Sequence, residues 1–519
     1  MDAIKAAAEP TALDRIVGAI SPSWQLSRTQ ARMRVAAMGF VAASTTRPHT
    51  KAWTPGTDSA DSVTLPALPM LRARSRDAVR NQPIAAGAFN TATTETLGTG
   101  FQVKATPDRE VLGLSEAEAE AWEHQAERIF RVWSTQCDIA RRRPFGAMHR
   151  VGLLEKLAAG DVLIVRRMKK YPGDLLATKI QLVEAERVTN PENKPDNARL
   201  VAGVKTDRDG APVGFHVANR NPLAYTQWGK VEPVKWVRVP AFGRSGERLA
   251  WLNFAATRTG QTRGVPWLAP VLEPLRQISD FGTAELHAAV VNSLLVVISR
   301  PKDPDGGYGT EATTGDDKDR LPYELGSGLW LEGNPGDEFE VVDPKRPNGQ
   351  FETFVLAWMR QIGTALGIPF ELLVKHFSSS FSASQAAMLQ AWRLFRCWQQ
   401  DEVNDFTQPI YELVLAEAIA NGLLDAPGFF DDPMARAAWT KTKWIGPGRG
   451  MIRPDVEIKA SKMAIDEWLS TAEDESARLF GTDWEQNFEQ RGREIKRMGG
   501  TIGEGPSPLD TDTGDREQL

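Results

Sequence analysis

Cysteine is scarce in this chain, which has only Cys137 and Cys397 among its 519 residues. The two lie far apart in the sequence, and no histidines cluster with them. A disulfide framework needs several paired cysteines, and a structural zinc site needs closely spaced cysteine or histidine ligands. The sequence therefore predicts neither, and a reducing cytosol is the simpler explanation of the cysteine content.

Long apolar runs are also missing. The most apolar stretch, residues 286–298, contains His287, Asn292 and Ser293. It is shorter than the roughly 20 residues that a membrane-spanning helix requires. The first residues show no basic segment followed by an apolar run, so no signal peptide is expected. We interpret 286–298 as a buried helix and expect no membrane contact.

Positive charge is not in excess. Lysine and arginine number 62 against 67 acidic residues, which gives a net charge of −5. Non-specific DNA binding depends on neutralising many phosphates with basic side chains. This balance argues against a repressor-like or histone-like protein, although brief contact with DNA stays compatible with it.

Catalytic signatures are absent too. The sequence has no G-x-x-x-x-G-K-[ST] phosphate loop, no H-E-x-x-H zinc motif and no G-x-S-x-G nucleophile elbow. Carboxylates at Asp303, Asp305, Asp316, Asp317 and Asp319 are of a kind that can hold metal for a nuclease. In so turn-rich a segment, a solvated surface loop is the commoner outcome. We expect no catalytic residue, no metal and no cofactor, and we keep a metal-dependent DNA-processing enzyme as the alternative.

The first half of the chain combines helices with a β-rich region. Ser115 followed by Glu118 fits a capping box at the start of a helix over 112–133. Pro83 is expected to divide 68–97 into two helices. Short β-branched segments then indicate strands at 161–166, 179–183, 200–205, 213–217, 236–239 and 249–254.

Helix returns after Pro266. An apolar stripe at 3.6-residue spacing begins at Leu268 and continues into 290–298. The segment 300–349 is rich in proline, glycine and aspartate, and it holds two strand-like pieces, 329–331 and 338–342, joined by a plausible hairpin connection.

The segment 351–422 shows two amphipathic helices around a polar loop. The first helix, 351–366, is stopped by Gly367 and Pro369. The second follows the loop and ends at Gly422, and Pro409 within it predicts a kink. Residues 433–494 are mostly helical in pattern with a break at 446–450, and the composition of 499–519 predicts disorder.

Several segments together resemble the lambda-type family of phage portal proteins. The resemblance covers roughly residues 21–424, and the order and spacing of the segments make it specific. The segments are Leu71-Arg72-Ala73-Arg74-Ser75-Arg76-Asp77, Arg80-Asn81-Gln82-Pro83, Gly98-Thr99-Gly100, Gly260-Gln261-Thr262-Arg263-Gly264-Val265-Pro266-Trp267-Leu268-Ala269-Pro270, Gly367-Ile368-Pro369 and Phe381-Ser382-Ala383-Ser384-Gln385-Ala386. One departure is the serine run 378–380, where the family pattern has a glycine and an aromatic such as tyrosine.

The resemblance implies an α+β portal fold assembled as a ring, with a mixed α/β wing, a helical stem, a small α/β clip and a helical crown. The implied divisions are an N-terminal arm (1–60), the wing (61–262, β-rich over 160–262), a stem helix (263–298), the clip (299–348), a returning stem helix (349–373), a tunnel loop (374–383), a kinked wing helix (384–429), the crown (430–498) and a disordered tail (499–519).

The resemblance further implies a dodecameric, non-enzymatic ring whose channel passes double-stranded DNA. Its partners would be the terminase large subunit, the major capsid protein or scaffold, and a head–tail adaptor, at a capsid vertex of a virion assembled in the bacterial cytoplasm. The residues implied to face DNA are Lys375, His376, Phe377, Ser378, Ser379, Ser380, Phe381 and Ser382. A smaller head–tail adaptor ring is a third alternative.

Overall fold

The computed structural model describes residues 9–36, 48–222, 233–293, 297–301, 337–341, 351–377 and 380–498. The chain divides into two compact units, Met1–Val63 and Thr64–Leu519. In the first unit, helices α1 (Ala12–Ile20) and α2 (Pro22–Ala36) pack on each other. Thr11 and Asp14 form a capping box at the start of α1, and Asp14 also pairs with Arg28 of α2 at 3.1 Å.

The second unit contains both helices and antiparallel sheets, so the chain has the α+β class that the sequence predicts. The next helices in chain order are α3 (Ala60–Asn81, which begins in the first unit), α4 (Pro83–Leu97), α5 (Arg109–Leu112), α6 (Glu116–Ser134), α7 (Phe145–Ala159), α8 (Leu272–Ser293), α9 (Phe351–Leu366), α10 (Phe370–Val374), α11 (Phe381–Glu402), α12 (Gln408–Ala420), α13 (Pro433–Trp439), α14 (Pro454–Asp466), α15 (Ala472–Phe480) and α16 (Trp484–Arg497). A π-helical segment, Val403–Thr407, joins α11 to α12.

The strands form small antiparallel sheets. They are β1 (Gln102–Ala105), β2 (Asp161–Met168), β3 (Thr178–Val183), β4 (Leu200–Val201), β5 (Val204–Thr206), β6 (Pro212–Ala218), β7 (Trp236–Pro240), β8 (Ala250–Phe254), β9 (Val297–Pro301), β10 (Asp337–Val341) and β11 (Thr442–Ile445). Strand β2 lies between β3 and β8, strands β4 to β7 form a meander, β9 pairs with β10, and β1 pairs with β11.

Three clusters of buried apolar side chains hold the second unit together. The first joins α6, α7 and α12 around Trp133, Phe145 and Tyr411. The second joins α4, the start of α8, α9 and α10, with Phe89 and Ile362 among its members. The third lies between strands of the two larger sheets. Helix α10, which leads into the predicted tunnel loop, packs in the second cluster through Leu373.

Many local predictions are confirmed. Ser115 caps α6, and the backbone N–H and side chain of Glu118 complete the capping box. Helix α3 ends at Asn81 and α4 begins at Pro83, so Gln82 alone separates the two helices. Five of the six strands predicted between 161 and 254 are present as single strands, whereas the predicted strand 200–205 is a tight hairpin of two strands, β4 and β5, in which Val201 lies opposite Val204. These signals are confined to a few neighbouring residues, so tertiary contacts do not override them.

The prediction of where the first stem helix ends, at residue 298, is wrong. Helix α8 stops at Ser293, and residues 297–301 form strand β9 instead of continuing the helix to 298. Its β-branched Val297 and Ile298 favour a pleated conformation, and a short apolar run alone does not distinguish strand from helix. The part of the stretch whose burial the structure describes is not fully buried in the single chain either, because Leu286 is 66% and Val290 53% exposed.

Other differences concern strand pairing. Strand β10 pairs with β9, whereas the predicted partner segment 329–331 lies outside the described residues. The region 433–494 is not wholly helical, because β11 pairs with β1. The tail 499–519 lies outside the described residues. Within the described part of the chain, no helix has the length and apolar character that a membrane span requires.

Candidate nucleic-acid interface

The predicted tunnel loop follows a tight turn at the end of α9. Gly367 has φ +72, and a β-carbon there would lie 2.8 Å from the side chain of Leu394 on α11. The N–H of Ile368 donates to the carbonyl of Gly363 at 3.0 Å. The left-handed conformation and the close helix both favour glycine at 367. The Gly-Ile-Pro segment therefore redirects the chain from α9 into α10.

Helix α10 anchors the loop. Leu373 is only 6% exposed, and the guanidinium of Arg360 lies 5.0 Å above the ring of Phe370. Lys375 ends the helix in the left-handed region, at φ +56. A non-glycine residue rarely adopts this conformation, so the base of the loop is held by its surroundings.

The tip of the loop is open to solvent. Lys375, His376 and Phe377 are exposed, Phe377 by 53%, and so are Ser380 and Ser382. The hydroxyl oxygens of Ser380 and Ser382 lie 3.4 Å apart. Ser378 and Ser379 lie outside the described residues, and Phe381 begins α11. The loop presents one ammonium group, one imidazole and hydroxyls, which suits passing contact with phosphates better than tight binding.

The helices beside the loop are joined by aromatic contacts. The ring of Phe281 on α8 stacks on Phe351 of α9, with centroids 5.4 Å apart, and meets Phe354 edge-on at 5.1 Å. The two helices that the sequence assigns to the stem are therefore brought together. Phe354 is nonetheless 47% exposed.

Pro409 is the second residue of α12, directly after the π-helical segment. Proline has no N–H to donate to the carbonyl four residues earlier, and its ring crowds that carbonyl. That group belongs to Asp405, and it accepts a hydrogen bond from the indole nitrogen of Trp251 at 2.7 Å. The π-helical segment therefore lies where Pro409 cannot donate the regular α-helical hydrogen bond. The predicted kink at Pro409 stays a prediction.

A buried polar cluster, which the sequence did not reveal, lies beside this π-helical segment. Glu402 accepts from Nε2 of His149 at 2.9 Å, from Nζ of Lys156 at 2.8 Å and from the amide of Asn253 at 3.2 Å. Burial acts to raise the pKa of Glu402, but Lys156 and His149 outweigh it and lower the pKa to about 2. The ring of His149 stacks on Phe406, with centroids 4.1 Å apart. The cluster joins the C-terminal end of α11 to α7.

A second buried cluster unites two of the sequence segments that carry the family resemblance. Arg263 is 1% exposed, and its Nε and Nη2 each donate to Asp161 at 2.7 Å. Arg72 also donates to Asp161, at 3.0 Å. Burial first, and then the charge of Arg263, lower the pKa of Arg72 to about 10. Asp161 therefore engages the guanidinium groups of both arginines inside the fold.

The acidic clusters proposed for a nuclease, including Asp303 and Asp316, lie outside the described residues. Among the residues that are described, no three histidine, cysteine or carboxylate side chains are grouped to hold a metal ion.

Comparison with known proteins gives a consistent set of matches. Residues 46–399 match the model of the family "Phage portal protein, lambda family". Portal protein B of Escherichia phage lambda is 26% identical over 469 residues, which cover 86% of each chain. The portal protein of Escherichia phage N15 is 25% identical over 469 residues, covering 86% of this chain and 87% of that one.

Solved structures with similar folds come from gene transfer agent particles. A chain of the native virion is 11% identical, with a TM-score of 0.44, covering 78% of this chain and 92% of that one. A chain from the neck of the native particle with C12 symmetry is also 11% identical, with a TM-score of 0.42, covering 81% and 100%.

Proposed function

From the premise that this chain belongs to the lambda family of phage portal proteins, and so works as a portal protein, we propose how its parts serve that function. The chain assembles into a dodecameric ring around a channel for double-stranded DNA. Residues 61–262 form the wing, 263–298 and 349–373 the stem, 299–348 the clip and 430–498 the crown. The loop 374–383 projects into the channel.

The observation that carries the channel role is the loop itself. Its base is fixed by Gly367 and Leu373, while Lys375, His376 and Phe377 are exposed at its tip. DNA that moves through a ring must be contacted weakly and released quickly. A loop with a fixed base and little charge meets both needs, since each added phosphate contact would strengthen binding and slow sliding.

Exposed apolar residues on the stem support assembly. Leu286 and Val290 on α8 and Phe354 on α9 are about half or more exposed in the single chain. Leu286 and Val290 lie four residues apart and so share one face of α8, and exposed apolar faces of this kind are characteristic of protein interfaces. Neighbouring subunits in a closed ring would cover these side chains.

We assign the partners by the same scheme. The terminase large subunit docks at 299–348 during packaging, and a head–tail adaptor takes its place afterwards. The major capsid protein or scaffold contacts the wing. The ring stands at one capsid vertex of a virion assembled in the bacterial cytoplasm, and it acts without catalysis.

Mass measurement of the full-length protein, followed by electron microscopy, tests the proposal. We expect a ring of twelve copies with a central hole, which a stable monomer or a hexamer would contradict. Incubation with plasmid and Mg²⁺ tests the absence of catalysis. Cutting that disappears in the Asp316→Ala, Asp317→Ala variant would favour a nuclease instead.

A further inference from the structure

Five exposed basic side chains lie together at one edge of the β2–β3 hairpin. They are Arg141, Arg142 and Arg143, in the loop between α6 and α7, and Lys169 and Lys170, at the hairpin turn; we call them the arginine–lysine patch. The ring of Tyr171 joins the two loops, because Arg141 lies 4.8 Å and Lys169 4.6 Å from its centroid. Within the described part of the chain none of the five forms a salt bridge, although the charge of Arg141 acts on Asp174, which pairs with Lys179 at 2.8 Å.

The arginine loop is held in a fixed shape. The carboxylate of Asp138 accepts the backbone N–H groups of Ala140, Arg142 and Arg143 at 2.9 to 3.2 Å. Arg141 adopts φ +55, in the left-handed region. The hydroxyl of Tyr171 donates to the carbonyl of Ile139 at 3.0 Å. The carboxylates of Asp138 and Asp174 lie beside the arginines and offset part of their mutual repulsion, but the exposed charges of the patch are positive, which favours an anionic partner.

The patch is remote from the channel loop. Near the end of α12, Glu417 accepts the N–H groups of Ala177 and Thr178 at 2.6 and 2.7 Å. The carbonyl of Ala177 in turn accepts the N–H of Lys169 at 2.8 Å. The helical path from Phe381 to Glu417 is on the order of 50 Å long at 1.5 Å per residue. The channel loop therefore precedes α11, whereas the patch lies near the other end of the continuous helical segment, at α12.

We propose that the arginine–lysine patch binds the phosphate backbone of duplex DNA outside the channel. The surface offers charge and little else. The amides of Ala140, Arg142 and Arg143 are already taken by Asp138, and the open cavity that the three arginines line is mainly polar. A bound acidic peptide would gain more from free backbone groups or an apolar pocket. A regular row of phosphates needs only positive charge, and the absence of base-reading groups makes the binding independent of sequence.

DNA binding by the arginine–lysine patch would be additional to the channel function, and the channel function does not depend on the patch. The chain as a whole carries a net charge of −5, so a local patch of five unpaired cations departs from the average surface. If the proposed ring forms, the patch is repeated once per subunit, and it contacts DNA that is not in the channel. Repetition would make weak contacts add up along one duplex.

The test measures binding of a labelled 30-base-pair duplex by full-length protein at several salt concentrations. In one variant, Arg142, Arg143 and Lys170 are changed to Gln, which leaves Arg141 and Lys169 over Tyr171. The control changes Lys459, Lys462 and Lys496, all exposed, to Gln, so the net charge falls equally. We expect the patch variant to bind at least tenfold more weakly at low salt, with a salt slope smaller by about three. The control should stay within twofold of the unchanged protein.

Three results would overturn the proposal. Equal loss in patch variant and control would show a net-charge effect. Loss only in a Lys375→Ala variant would place DNA binding in the channel alone. Competition by polyglutamate as effective as DNA, per charge, would reassign the patch to an acidic protein. Mass measurement on the same samples separates a failure of this proposal from a failure of the proposed ring. A patch variant that forms normal rings but does not bind DNA would show that assembly does not depend on the patch.

Discussion

Gly160 and Gly264 lie backbone to backbone, so closely that a β-carbon on either residue would overlap the carbonyl group of the other. Gly160 follows α7 and immediately precedes Asp161, and Gly264 follows Arg263. The N–H of Gly264 also donates to Asp161 at 3.1 Å. The contact between the two glycines is what allows the buried Arg263–Asp161 ion pair to form.

Gly264→Ala is expected to destabilise the protein by about 3 kcal/mol, because backbone cannot move aside as a flexible side chain can. Gly87→Ala is the matched control, since Gly87 lies within α4 and has nothing within 4 Å of a β-carbon. It should be neutral or stabilise by about 0.5–1 kcal/mol. Urea unfolding measures both, and equal effects of the two changes would contradict the predicted clash.

Glu402→Gln is expected to cost about 3 kcal/mol or more, because it leaves Lys156 and His149 facing a neutral amide in a buried site. Asp401→Asn, at the exposed neighbouring position, removes the same charge and should change stability by less than about 0.5 kcal/mol. Comparable unfolding midpoints for the two variants would show that the buried cluster contributes nothing specific.

Glu123 gives the protein a pH dependence near neutrality. Burial is the largest cause and raises its pKa from 4.5 to about 7; attraction to Lys104 opposes the rise, and repulsion from Glu485 and Glu127 adds to it. The folded state then holds a proton that the unfolded state releases, so this group's contribution is complete below pH 4.5 and is lost as pH rises through 7. Glu123→Gln should flatten the decline in thermal stability between pH 5 and 7.5. The unchanged slope would refute this assignment.

The loop variant Lys375→Ala, His376→Ala should form rings of normal mass and alter the length or retention of packaged DNA. Both side chains are exposed, so their truncation should leave the fold unchanged. Particles made with the variant portal would be measured for DNA length by gel electrophoresis. Normal DNA length together with normal retention would remove the loop from the channel function.

Local signals in the sequence predicted the elements that local contacts determine. The capping box of Ser115 and Glu118 spans three residues, and Pro83 acts on its own backbone, so neither depends on distant packing. Most strands between 161 and 254 were predictable for the same reason, because each carries its own β-branched pattern.

Contacts between distant segments could not be predicted in this way. Glu402 meets His149 and Lys156 across about half of the chain, and no motif or spacing marks the three as partners. Arg263 was noticed only as part of a family pattern, and its burial against Asp161 gave no separate signal. The strand at 297–301 was missed because its partner, 337–341, comes after a long intervening segment.

The pairing of β1 with β11 has a consequence for how the chain matures. Val103 lies opposite Trp444, so an N-terminal edge strand waits for more than 300 residues before its partner exists. At about 5–20 residues per second, translation leaves that edge open for roughly 20 to 70 s. Contacts of such high sequence separation form late and slow folding. A nascent chain therefore completes this two-stranded sheet only when synthesis is nearly finished.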